Sequence, residues 1–298
     1  MNYPLVIATS LASTAFFAFA TAFKHRSAGQ TPQLHRFNAR HLGSFVAATA
    51  THPLWLAGLL CDAGGLGLQV LALHIGALAV VQPLLITALL FSIIVNHRVA
   101  GTRITALELR WGVVLVLALA GFLAVSGAAS PTTAAQAQAV DKAPAAFAAA
   151  IAVVLAGACV AIARRTTAGI SAALIGVATG TTYAGTAALI KYCTDRFVRS
   201  PVSLLASWQL YALLVAGAAG LVLSQLAFQS GPLTASLPAI ATVDPLLSIV
   251  LGVVVYDEQL RAGWSAALGE ATTLLLMSTA AVYLSRGQGA TEAGSGAG

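Results

Sequence analysis

Three carboxylates lie inside long apolar stretches of this sequence: Asp62, Asp244 and Glu270. Insertion of a charged Asp at the centre of a bilayer costs about 2.5–3.5 kcal/mol on insertion scales. Such an acid either carries a proton or faces a wet cavity in which it binds a cation. We predict that the three acids bind protons or a cationic substrate, with Asp244 ranked first and Asp62 second. The alternative is that some are neutral and hydrogen-bonded between helices.

Prolines flank the first-ranked acid. Asp244 directly precedes Pro245, and Pro238 lies shortly before it. A proline inside a helix cannot donate a hydrogen bond to the carbonyl four residues back. We therefore expect helix breaks at Pro238 and Pro245, and a matching break at Pro83 in the other half of the chain. An interrupted helix beside a carboxylate is typical of a cation site, and a structural kink satisfied by neighbouring helices is the equal alternative.

Three further side chains complete the candidate binding set. Gln69 follows Asp62 by seven residues, so the two share a helix face. Gln225 lies one residue past the position that matches Gln69 under the repeat described below, which predicts a cavity lined by both halves. A helix–helix hydrogen bond explains either glutamine equally well. Tyr183 is placed to stack on an organic cation, although packing is the commoner role for such a ring.

The composition indicates an all-α integral membrane protein. Of the 298 residues, 58% are hydrophobic and only 8% are charged, whereas soluble domains carry about 25% charged residues. The net charge of +6 comes from basic residues in short loops between apolar runs. This distribution reflects membrane topology rather than binding of nucleic acid. We expect a multi-pass protein of a bacterial plasma membrane, with membrane lipids around it.

The apolar runs predict nine membrane-spanning helices, with ten as the alternative count. Lysine and arginine in alternate loops divide ten against five, which places the N-terminus outside and the C-terminus inside. Lys191 then falls at a helix end, and residues 192–202 form an outer loop. The predicted spans are 4–23, 52–74, 77–97, 108–128, 144–163, 170–191, 203–228, 232–255 and 263–284.

A duplicated segment relates the two halves of the chain. The stretch Leu71–Leu78 recurs as Leu226–Leu233 at an offset of 155 residues, and Pro83 recurs as Pro238 at the same offset. An odd number of spans separates the copies, which predicts two repeats of inverted topology. We divide the chain into an N-terminal repeat (1–128, four spans), a linker (129–143), a C-terminal repeat (144–285, five spans) and a disordered tail (286–298).

Particular stretches resemble a known superfamily. The sequence from His52 to Leu60, followed by Leu68–Leu73 and Gly76–Leu84, resembles the drug/metabolite transporter superfamily. The segment Asp257–Leu260 is similar to the loop that follows the corresponding hairpin in that superfamily. The resemblance is greatest to actinobacterial members and to the NIPA-like branch. It implies inverted repeats and secondary transport, and it says nearly nothing about the substrate.

Together these features predict a secondary transporter that moves a small solute by alternating access, with proton coupling as an option. The alternatives are a NIPA-like magnesium transporter, a flippase for a lipid-linked precursor and a non-transporting membrane scaffold. We expect no enzyme and no cofactor, because the sequence shows no nucleophile–base pair or metal cluster; the identity of any metal ligand is left unassigned. Expected partners are membrane lipids and a small-molecule or cation substrate, and homodimer formation stays open.

Overall fold

The computed structural model describes residues 3–28, 53–100, 104–127, 143–231, 233–261 and 263–295. The regular structure in these ranges consists of eleven helices. They are α1 (Tyr3–Ala28), α2 (Pro53–Ile75), α3 (Leu78–Leu85), α4 (Ala88–Ala100), α5 (Ala106–Ser126), α6 (Ala143–Ala163), α7 (Ala168–Arg199), α8 (Pro201–Leu205), α9 (Trp208–Gln229), α10 (Leu233–Tyr256) and α11 (Trp264–Ser295).

The helices agree with the prediction of an all-α membrane protein. Within the described ranges, seven helical stretches are long and apolar enough to cross a bilayer, and two more, Phe147–Ala163 and Trp208–Ser224, are apolar but shorter. The shorter two coincide with the predicted fifth and seventh spans. Large apolar side chains such as Leu60 and Val153 are exposed. An apolar surface of this kind suits contact with lipid rather than water.

Two predicted helix breaks differ from the structure. Near Pro83 the chain does divide into α3 and α4, at a tight turn in which the Ile86 N–H donates to the Pro83 carbonyl at 3.3 Å. By contrast, α10 runs without interruption through Pro238 and Pro245. The predicted breaks at these two prolines are therefore wrong. Each proline removes a single backbone hydrogen bond, and the bonds on either side are enough to continue the helix.

Two segments predicted as irregular are helical. Helix α7 continues to Arg199, where the sequence predicted a loop from residue 192. Helix α11 continues to Ser295, where it predicted a disordered tail from residue 286. A helix that is already nucleated by packing extends at little cost, because each further residue adds one backbone hydrogen bond. The predicted linker lies outside the described residues except for its last residue, Ala143, which begins α6.

Helix α7 is the central packing element of the described bundle. It contacts α6, α9 and α10 most extensively, and also α2, α3 and α8. Glycines allow the closest approach: a Cβ added at Gly176 would lie 2.8 Å from the Ser236 carbonyl oxygen. In the N-terminal half α1 packs in the same manner against α2, α3 and α4. Helices α5 and α11 pack against each other and join the halves.

The two copies of the duplicated segment lie at opposite ends of α7. Gly76, between α2 and α3, accepts a hydrogen bond from Lys191 near the C-terminal end of α7. Gly231, between α9 and α10, packs against the backbone of Ala168 at the start of α7. We call these the first-hinge end and the second-hinge end of the bundle. The two hinges thus face opposite ends of the same central helix.

Candidate functional site

Asp244 lies in the interior of the bundle, midway along α10. Protein surrounds its side chain, yet the residue keeps part of its surface accessible. The carboxylate is therefore deep in the bundle without being completely enclosed. Ser248, one helical turn later, donates from its hydroxyl to Oδ1 of Asp244 at 3.3 Å. Asp244 therefore combines depth, access and a polar neighbour.

Tyr183 of α7 connects Asp244 with the first half of the chain. Its hydroxyl interacts with the side chain of Ser224 of α9, and it interacts electrostatically with both Asp244 and Asp62. Asp62 is half-buried on α2. Three of the residues predicted from sequence are thus brought together by three helices. We call Asp62, Tyr183, Ser224, Asp244 and Ser248 the central acidic site.

Small residues in α7 and α9 determine where the site is built. A Cβ at Gly220 would lie 2.8 Å from the Tyr183 ring, so the glycine makes room for the tyrosine. A Cβ at Gly180 would lie 3.1 Å from the backbone nitrogen of Asp244. Glycine at this position lets α10 approach α7 closely enough to bring the carboxylate near the ring. Close backbone approach is the usual reason for glycine at membrane helix interfaces.

The threonine hydroxyls of α7 beside the site are satisfied within their own helix. Thr179, Thr181, Thr182 and Thr186 each donate to the carbonyl four residues earlier, at 2.8 Å in every case. Such bonds keep polar side chains neutral and satisfied inside a membrane helix. The central acidic site is therefore bordered by hydroxyl groups that carry no charge.

The other predicted site residues make no described interaction with the central acidic site, or lie outside the described part of the chain. Glu270 is half-buried on α11, and its Oε1 has no hydrogen-bond partner within the described residues. No interaction described for Glu270 joins it to Asp62, Tyr183 or Asp244. Gln69 is half-buried on α2. The side chain of Gln225 lies outside the described part of the chain.

A buried ion pair that the sequence did not reveal closes the first-hinge end. The Glu258 carboxylate, just after α10, accepts hydrogen bonds from the backbone N–H groups of Leu78 (2.6 Å) and Ala79 (2.9 Å) at the start of α3. Its Oε1 lies 3.7 Å from Nζ of Lys191 on α7. Both side chains are fully buried. We call Lys191 and Glu258 the hinge lock.

The remaining donors of Lys191 hold the end of α2. Its ammonium group donates to the carbonyls of Leu73 (3.0 Å) and Gly76 (2.6 Å). The hinge lock thus ties α2, α3 and α7 to the segment after α10. The prediction that Lys191 ends a helix is wrong, because α7 continues to Arg199. The sequence did contain a signal for this ion pair. Lys191 lies at the edge of a predicted span, and a lysine inside a membrane helix requires a partner.

Electrostatic effects at Glu258 oppose one another. Burial raises the pKa of the Glu258 carboxyl above its usual range, whereas the Lys191 ammonium and the backbone N–H groups of Leu78 and Ala79 act in the opposite direction. A carboxylate at a helix N-terminus is also favoured by the helix dipole. The glycine at position 252 makes room for the carboxylate, because a Cβ there would collide with it.

Polar contacts surround the hinge lock at the same end of the bundle. His74 Nδ1 and Asp195 Oδ1 are 2.7 Å apart, which links α2 to α7 a second time. The Tyr256 hydroxyl donates to the Ala188 carbonyl, and Arg196 donates to the Tyr192 hydroxyl at 2.6 Å. At the second-hinge end, His97 and Glu108 form a separate buried pair at 3.1 Å. Charged groups inside the protein are therefore paired near both ends.

Among the described residues, no group of three or more His, Cys, Asp or Glu side chains is placed to hold a metal ion. Asp62 and Asp244 come from different helices, and each interacts electrostatically with Tyr183. The chemistry available at the central acidic site is therefore binding of a proton or a cation by carboxylate, hydroxyl and aromatic groups.

Comparison with known proteins gives a full-length similarity. Over 281 residues the chain is 29% identical to an uncharacterized protein of Corynebacterium glutamicum, an alignment that covers 93% of this chain and 94% of that protein. No family model and no solved structure matches the chain.

Proposed function

We propose that this protein is a secondary membrane transporter in which the central acidic site binds a cation or a proton during alternating access. The observation that carries the proposal is the convergence of Asp62, Tyr183 and Asp244 from α2, α7 and α10. These helices belong to different halves of the chain. A carboxylate inside a membrane bundle marks an ion or substrate pathway by default, and Asp244 keeps part of its surface accessible.

Matched packing in the two halves supports an inverted repeat. Helix α1 packs against α2 and against α3 and α4, just as α7 packs against α9 and α10. The two hinges lie at opposite ends of α7. On this proposal the chain has nine spans, with α6 and α9 as the fifth and seventh. Two halves of opposite orientation can open in turn to either side of the membrane, as the resemblance to drug/metabolite transporters implies.

The hinge lock supports a state closed at one end. Lys191 and Glu258 are fully buried and join four segments at the first-hinge end. Access to Asp244 would then come from the second-hinge end, which the distribution of lysine and arginine places inside the cell. Opening the first-hinge end requires Glu258 to separate from the start of α3. The lock therefore acts as the outer gate in this proposal.

Transport by reconstituted full-length protein tests the proposal. Proteoliposomes containing a pH-sensitive dye would be exposed to ethidium, as a probe organic cation, or to Mg²⁺, and a parallel preparation would be assayed for lipid scrambling. We expect cation-driven proton release from the wild type, and Asp244→Asn to reduce it at least about tenfold, since one charge in a membrane interior is worth more than 1.4 kcal/mol.

The matched control is Asp257→Asn, which removes an exposed acid near the same helix. Transport by this variant is expected to equal that of the wild type. If both Asp244→Asn and Asp62→Asn leave transport and its pH dependence unchanged, the central acidic site takes no part in transport. Flux of Mg²⁺ alone, or scrambling alone, would identify one of the alternative functions.

A further inference from the structure

An apolar groove opens on the membrane-facing side of the second half, between α6 and α9. Its volume is about 570 Å³. The walls are formed mainly by small residues, and one guanidinium lies among them. The lining includes Ala156, Gly157 and Ala161 of α6, Ala218 and Ala219 of α9, and Arg164 in the turn after α6.

The groove exists because α6 and α9 both pack on α7 while their small side chains leave space between them. A Cβ added at Gly157 would meet no atom within 4 Å. Large apolar side chains beside the groove, Val153 and Val222, are exposed. The groove therefore faces the region that lipid chains occupy rather than the interior of the bundle.

Arg164 gives the groove a polar end. It lies at the second-hinge end, beside Arg165, and both are exposed. From Ala156 to Arg164 the chain advances eight residues, which corresponds to about 12 Å along a helix. An apolar groove that ends at a guanidinium near the membrane surface matches an acyl chain attached to a phosphate. Apolar walls alone would not select among lipids, whereas Arg164 favours an anionic headgroup.

We propose that this groove binds one anionic phospholipid, with an acyl chain along α6 and α9 and the phosphate on Arg164. A second copy of the chain fits less well. Helices α6 and α9 contain no Asp or Glu. In a symmetric dimer formed through this face, two arginine groups would approach each other without a carboxylate from either helix. The proposal is independent of what the central acidic site transports.

Lipid binding by the purified full-length protein tests the proposal. Spin-labelled phosphatidylglycerol and spin-labelled phosphatidylcholine would be compared by the fraction of motionally restricted lipid. We expect the wild type to favour phosphatidylglycerol about fivefold, the ratio that corresponds to about 1 kcal/mol for one basic residue at the membrane surface. Arg164→Gln is expected to abolish this preference, whereas Arg165→Gln, outside the groove, keeps it.

A second pair of variants tests the apolar part. Gly157→Leu fills the groove and is expected to displace both lipids. Gly67→Leu adds the same bulk at an exposed glycine of α2 that also has no atom within 4 Å of an added Cβ, and it leaves the bound lipid unchanged. Neither leucine meets the packed interior, and leucine favours a helix more than glycine does, so thermal stability should not fall below that of the wild type.

Three outcomes would overturn the proposal. The first is an equal effect of Arg164→Gln and Arg165→Gln on headgroup preference. The second is unchanged lipid restriction in Gly157→Leu. The third is a wild-type dimer that Gly157→Leu converts to a monomer without a change in bound lipid, which would assign the groove to contact between two copies.

Discussion

Two carboxylates of the C-terminal half, Glu258 and Asp244, lie deep in the same bundle but differ in how many hydrogen-bond and charge partners they have. Glu258 accepts two backbone hydrogen bonds and lies 3.7 Å from the Lys191 ammonium. Asp244 receives one hydrogen bond, at 3.3 Å, from Ser248 among the described residues. Since a carboxylate offers about four acceptor positions, Glu258 has its positions largely filled, whereas Asp244 keeps most of its own for a ligand.

On the proposed function, this difference separates a structural acid from a binding acid. Satisfied charges in a membrane interior stabilise one arrangement of helices, because the charge cannot move without losing its partners. An acid with vacant acceptor positions gains free energy from a proton or cation that enters the site. Substitution of Glu258 should therefore affect the stability of the fold first, and substitutions at the central acidic site should affect ligand binding first.

The largest expected effect is on stability. Glu258→Ala removes the partner of a fully buried lysine and leaves two backbone N–H groups at the start of α3 without acceptors. We expect the free energy of unfolding to fall by about 3–5 kcal/mol, the usual result of breaking a buried pair. Thermal unfolding of the detergent-solubilised protein measures this change.

A double variant shows whether the loss comes from the unpaired charge. Lys191→Met combined with Glu258→Gln removes both charges and keeps an acceptor near α3. We expect it to recover much of the stability that Glu258→Ala loses, because an uncharged replacement avoids the desolvation cost of a lone ion. A double variant as unstable as Glu258→Ala would show that packing, not charge pairing, closes the first-hinge end.

An intermediate effect is expected from one added methyl group. Gly252→Ala places a Cβ where the Glu258 carboxylate lies, so the carboxylate must shift away from α3. We expect a loss of about 1–3 kcal/mol, typical of overpacking. The control is Gly185→Ala on α7, where an added Cβ meets no atom within 4 Å. This control should stabilise the helix by about 0.5–1 kcal/mol, and equal destabilisation of both variants would contradict the assigned role of Gly252.

The smallest expected effect concerns the central acidic site. Tyr183→Phe removes the hydroxyl that interacts with Ser224 and, electrostatically, with Asp244 and Asp62. We expect apparent substrate affinity in the proteoliposome assay to weaken by about 0.5–1.5 kcal/mol, the net value of one hydrogen bond, with a smaller change in thermal stability. Tyr211→Phe, an exposed tyrosine of α9, should leave affinity unchanged. Equal effects of the two variants on apparent affinity would show that the Tyr183 hydroxyl takes no part in substrate binding.

Residue pattern predicted the helices better than their interruptions. The long uncharged runs correctly indicated membrane-compatible helices such as α2, α5 and α10. The prolines misled, because Pro83 lies before a turn while Pro238 and Pro245 lie within a continuous helix. A proline removes one hydrogen bond in every case, and neighbouring helices decide whether the chain bends, turns or continues.

Candidate acids were found from sequence, but their roles depended on contacts. Asp62, Tyr183 and Asp244 were selected because of their residue types inside apolar runs, and the structure brings them together. Glu270, selected on the same basis, lies on α11 and has no described interaction with them. Depth along a helix can be counted from sequence, whereas the direction a side chain faces depends on how that helix packs.

The sequence by itself determined that this chain is helical and apolar enough for a membrane, and that its halves share a duplicated hinge. These properties follow from residue composition and from local periodicity, which the chain carries regardless of its fold. Only the tertiary structure decided that Glu258 reaches the start of α3, some 180 positions earlier in the chain, and that Lys191 lies beside it. Pairing between distant residues depends on how the helices pack, and that packing paired Glu258 with Lys191 while it gave Asp244 a single hydrogen bond among the described residues.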